Sequence, residues 1–123
     1  MGYESRFYIV DKTDIKSLDG KRYWAQVIAM FDLCKVYAVS SPIQDKYPAT
    51  DAYIYADDGN TEITKDKYGE PLIEIPIDDL IQLIEKVITS EGYYYRRYNP
   101  FLQLLKGFNK SDWRNLVVLH YGH

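Results

Sequence analysis

Cysteine and histidine are scarce in this chain, and each scarcity removes a class of function. The single cysteine, Cys34, excludes an internal disulfide and any multi-cysteine zinc site. It stands in an apolar run, where a buried and inert thiol is expected. The two histidines, His120 and His123, both stand at the end of the sequence and leave little general-base capacity near neutral pH. No glycine-rich phosphate loop is legible, nor a Ser-His-Asp or Cys-His pairing, so an enzyme is not expected. The chain lacks the run of about 18 apolar residues that a membrane-spanning helix requires. Residues Met1 to Arg6 lack the apolar core of a signal peptide, which makes the cytoplasm the expected location.

What is present fits one domain over residues 1–123, with 46% hydrophobic and 27% charged residues. Charge is unevenly placed. Residues 1–91 carry a net charge of −7, and residues 92–123 carry +4. The acid is densest from Asp45 to Glu91, net −8, which predicts a surface of two signs. Tyrosine is the second bias: 13 residues, against 4 phenylalanines. Tyrosine suits strands and binding surfaces alike, because it joins a rigid apolar ring to a hydroxyl.

Alternation predicts a strand over Tyr3–Val10, and Asp19-Gly20 marks a turn after it. Residues 22–33 fit strand and helix equally; the Asp-Gly turn favours a hairpin partner for the first strand. A loop with Pro42 and Pro48 precedes a strand over residues 52–56. Residues 61–75 supply one or two further short strands. Ile77, Leu80, Ile81, Ile84, Val87 and Ile88 repeat at helical spacing, with Asp78 and Asp79 in the first turn and Gly92 as the stop. A shorter helix is expected from Pro100, capped by Asn99 and ended by Gly107. "LVVLHY" closes the chain as a strand. The expected fold is α+β: an antiparallel sheet of four to five strands, two helices on one face, and the final strand at the C-terminus.

Three segments invite functional readings. Tyr55-Ala56-Asp57-Asp58 matches the paired aspartates of polymerase active sites, but it runs straight into Gly59-Asn60, and a hairpin turn is the expected role. Weak cation binding by Asp57, Asp58 and Glu62 is the reduced form of that reading. His120 and His123 are spaced i, i+3, on opposite faces of a strand, at a terminus where fraying is ordinary. Zinc binding there needs the tail to bend and a carboxylate from elsewhere. The third segment is Tyr93, Tyr94, Tyr95, Arg96, Arg97 and Tyr98, a pattern suited to protein hot spots or to stacking on nucleic-acid bases.

"MGYESRFYIV", "YADDGNTEITKDKYGEPL" and "NLVVLHYGH" resemble small uncharacterised proteins of phages and prophages of Gram-positive bacteria. That resemblance transfers no functional residue. It implies a small accessory phage protein acting in the bacterial cytoplasm, of the class that includes anti-CRISPR inhibitors of Cas9. The leading expectation is a non-enzymatic protein that inhibits a host defence protein. It would use an acidic face with Asp57, Asp58, Asp78 and Asp79, and the tyrosine–arginine segment. The alternatives are a nucleic-acid-binding accessory protein, a small metal-binding protein using His120 and His123, and a virion or assembly component.

Overall fold

The computed structural model describes residues 5–33, 46–56, 58–66, 69–90, 95–113 and 115–122. Cys34, Asp57, Tyr93, Tyr94 and His123 lie outside the described residues, as does most of the loop around Pro42. The first hairpin joins β1 (Ser5–Lys16) to β2 (Tyr23–Leu33). The ambiguous segment 22–33 is therefore strand from Tyr23 onward, and β1 runs six residues past Val10. Its polar second half carries no apolar alternation because it passes beyond the core, where the ladder no longer needs apolar side chains. The turn is tied locally. Gly20 takes φ +73°, and the Asp19 carboxylate accepts from the Ser17 hydroxyl and the Lys21 amide.

The remaining strands are β3 (Ala52–Tyr55), β4 (Glu62–Ile63), β5 (Ile73–Ile75) and β6 (Leu116–Gly122). They form one sheet of six strands in the order β4-β3-β2-β1-β6-β5. Two expectations are corrected here. Among the described residues six strands replace four to five, and the sheet is mixed, because β2 and β3 run parallel, with Tyr23 beside Ala52 and Trp24 beside Tyr53. The reason lies in the connection. Parallel neighbours need a crossover of roughly a dozen or more residues, and residues 34–51 supply that length.

The sheet curls until its ends meet. The Thr50 amide donates to the Leu72 carbonyl, and the Glu74 amide to the Pro48 carbonyl, at 2.9 and 3.0 Å. These bonds tie the far edge of β5 to the chain leading into β3. The two faces thus acquire different partners. Phe7, Ile9, Ile75 and Val118 point toward the helices. Val10, Ala25, Ala52, Ile54, Leu72 and Leu119 fill the inside of the curl.

Helix α1 (Ile77–Ser90) matches its apolar periodicity and buries Leu80 and Ile84 completely. Helix α2 (Tyr95–Lys110) departs from expectation at both ends. Capping by Asn99 predicted a start at Pro100, yet the helix begins at Tyr95. Tyr98, Phe101, Leu102 and Leu105 share one helical face and are all buried, so their packing outweighs the hydrogen bond that Pro100 cannot donate. At the other end the helix runs through Gly107 instead of stopping there. No neighbouring atom lies within 4 Å of where a Gly107 side chain would begin. Gly107→Ala is therefore expected to raise stability by about 0.5–1 kcal/mol, read as a shift of the urea midpoint. No described helix is long and apolar enough to cross a membrane.

Candidate functional site

The charged network at one mouth of the curl begins with Lys12. Its residue pairs with Ala25 across the hairpin, on the face that carries Val10 into the curl, but it stands one step nearer the solvent. Its ammonium lies 3.0 Å from an Asp51 oxygen and 3.1 Å from a Glu74 oxygen. The Thr50 hydroxyl donates to Glu74 at 2.8 Å, and the Thr50 oxygen accepts from the Ala52 amide. Lys12 thus bridges β1, the approach to β3, and β5, the segments whose meeting closes the curl.

Outside this network lies an open pocket of about 430 Å³, lined in part by Lys12, Asp14, Tyr23, Asp51, Glu74 and Asn115. Local backbone features shape it. The β1–β2 register breaks between Lys12 and Lys16, where the Thr13 hydroxyl donates to the Trp24 carbonyl at 2.8 Å. Such bulges re-aim side chains, and here they bring Asp14 to the pocket wall. Asn115 has φ 67°, and no other non-glycine among the described residues has positive φ. Asparagine tolerates this left-handed conformation better than most residues, and the Asn115 carbonyl accepts the Lys12 amide at 3.2 Å.

Electrostatics decide what the pocket can do. Among the described lining residues, one ammonium stands against three carboxylates. The Asp51 side chain is 57% exposed and so remains open to solvent despite its ion pair. Burial acts to lower the Lys12 pKa, but hydrogen bonds and charge from Asp51 and Glu74 outweigh it, and the pKa is raised. A nucleophilic or Schiff-base lysine needs the opposite shift, toward the neutral amine. Lys12 is a fixed cation, held between the Asp51 and Glu74 carboxylates. Its raised pKa gives a testable sign. The contribution of the network to stability is fully present below pH 10.5, the ordinary lysine value, and is lost as pH rises through the raised value. The stability gap between the wild type and Lys12→Gln is expected to hold steady from neutral pH to pH 10. It should narrow above that, as followed by chemical denaturation.

The Tyr23 ring carries the Lys16 ammonium at 5.7 Å from its centroid. This aromatic wall of the pocket thus already accommodates a cation at its rim.

The described residues among those singled out in the sequence do not line this pocket. Asp58 is a turn residue: its carboxylate accepts from the Asn60 and Thr61 amides and the Thr61 hydroxyl, at 2.8, 2.9 and 2.6 Å. The Thr61 hydroxyl first, and then these amides, hold its pKa below the ordinary carboxylate value. Asp79 is half-buried and accepts the Tyr47 hydroxyl at 3.0 Å. Asp78 is exposed in the first turn of α1, bonded to the Gln82 amide. Arg96 is exposed in the first turn of α2, on which Tyr95 and Arg97 also lie. Tyr98 is fully buried, which corrects its assignment to a surface contact: the ring belongs to the core under α2.

His120 lies within the last strand, while His123, its partner in the metal reading, lies outside the described residues. β6 pairs with β1 as far as Gly122 opposite Ser5. His120 is 1% exposed, and its ring lies 4.9 Å from that of Phe7. Among the described residues, no three His, Cys, Asp or Glu side chains are grouped to hold a metal ion.

The pocket residues went unnoticed in the sequence. Glu74 alone left a signal. It is a carboxylate between Ile73 and Ile75, and a charge inside an apolar strand calls for a partner. No family model matches the chain, and neither a curated protein nor a solved structure matches it.

Proposed function

We propose that this protein is a non-enzymatic binding protein that captures a basic segment of a partner protein at the pocket beside Lys12. The observation that supports this reading is the surplus of carboxylate among the described lining residues: Asp14, Asp51 and Glu74 against Lys12, with Lys16 at the rim. Such a pocket attracts arginine or lysine side chains and repels phosphate. The partner class in this reading is a host defence protein of a bacterium, held by a phage-type inhibitor. Nucleases fit because they hold nucleic acid in basic channels, and Cas9 is the first candidate.

The test is target cleavage by purified, guide-loaded Cas9 in the presence of this protein. Inhibition by the wild type, relieved in Asp51→Asn/Glu74→Gln, is the expected result. Undiminished cleavage at excess protein would remove Cas9 as the partner. Full inhibition by the double variant would remove the pocket as the contact.

A further inference from the structure

A second depression, of about 260 Å³, adjoins the acidic pocket, and both are lined by Asn115 and Val117. Its character is different. Pro76, Ile77, Phe108 and Trp113 give it apolar walls, with Asp78 among its lining residues. Trp113 is 44% exposed, an uncommon state for a residue whose burial gains so much. Its ring is nevertheless fixed. The indole N–H donates to the Asp11 carboxylate at 3.0 Å, and Phe108 meets the ring edge-on, with centroids 6.1 Å apart. The polar atom is satisfied and the orientation is set, so part of the indole surface faces solvent without the entropy cost of ordering it on binding. A rigid aromatic beside a charged pocket is the usual composition of a protein-recognition hot spot.

Resting on the binding reading above, we infer that the two depressions are subsites for one extended peptide segment of the partner. That segment places an arginine or lysine against Asp14, Asp51 and Glu74, and a large apolar side chain against Trp113 and Phe108, on either side of Asn115. Charge complementarity selects this occupant. Asp78 lines the second depression and Asp14, Asp51 and Glu74 line the first, so both subsites disfavour an acidic side chain or a phosphate. Extended chain advances about 3.3 Å per residue, so anchors in adjoining subsites require only a short spacing.

The experiment uses blocked synthetic peptides and the 123-residue chain labelled with nitrogen-15. One peptide set carries arginine and leucine separated by zero to three glycines. Control sets replace arginine by glutamine, or leucine by serine. The expected result is saturable movement of the Trp113 indole and Asn115 amide signals by the two-anchor peptide at the best spacing. Its affinity should exceed that of each control at least tenfold. Trp113→Ala should cancel the advantage of leucine while leaving arginine-only binding intact. Equal binding by the arginine-only peptide, with Trp113 unmoved, would overturn the two-subsite inference and leave the basic-segment reading standing. Equal binding by the leucine-only peptide, or no binding by any peptide, would overturn both.

Discussion

Phe101→Ala is expected to destabilise the protein by about 3–5 kcal/mol, the cost of removing a fully enclosed aromatic side chain. Phe101 has no exposed surface. Its ring lies 5.2 Å from Phe7 and 4.6 Å from Phe31, centroid to centroid. It therefore joins α2 to both strands of the first hairpin, the longest pair in the sheet. The cavity left behind would be walled by sheet and helix together, neither of which can collapse into it without losing its own bonds. Against a typical domain stability of about 5–15 kcal/mol, the loss is a large fraction of the total. Urea denaturation followed by circular dichroism measures it. A loss below about 1 kcal/mol would mean that α2 does not anchor the fold as described.

The second large effect concerns the pocket. Asp51→Asn/Glu74→Gln removes two negative charges while keeping side-chain oxygens that can accept from Lys12 and Thr50. The curl should therefore stay closed, and the change falls on electrostatics. The affinity for a basic partner is expected to fall more than tenfold. Its dependence on salt should flatten as well, because the charges that salt screens are gone. A control of opposite sign separates charge from shape. Lys12→Gln removes the fixed cation among the described lining residues, so it should tighten capture of a basic segment even as it lowers stability. Parallel loss of both affinity and stability in Lys12→Gln would make the network a structural clasp only.

The fold was legible where a single face decides an element. Six apolar residues at helical spacing announced α1, and "LVVLHY" announced β6. Elsewhere contacts distant in sequence overrode local signals. Asn99-Pro100 is a sound helix start by itself, but burying Tyr98 one turn earlier gains more than the cap. The parallel entry of β3 was visible only as the length of the segment between residues 33 and 52. The pocket was hidden for a related reason. Lys12, Asp51 and Glu74 are dispersed through the sequence, and only the curl of the sheet brings their charges within 3.1 Å. The acidic dipeptides that drew attention instead, Asp57-Asp58 and Asp78-Asp79, are concentrated in sequence because turns and helix starts favour carboxylates. Among the described residues of these pairs, Asp78 lines one of the two depressions, and Asp58 and Asp79 line neither.

The most direct measurement is a titration of the nitrogen-15-labelled protein with a blocked arginine peptide, repeated on Asp51→Asn/Glu74→Gln. The expected result is saturable shifts centred on the amides of Asp14, Asp51, Glu74 and Asn115 in the wild type, and their loss in the double variant. Identical shifts in both proteins, or none in either, would contradict capture of a basic segment at this pocket.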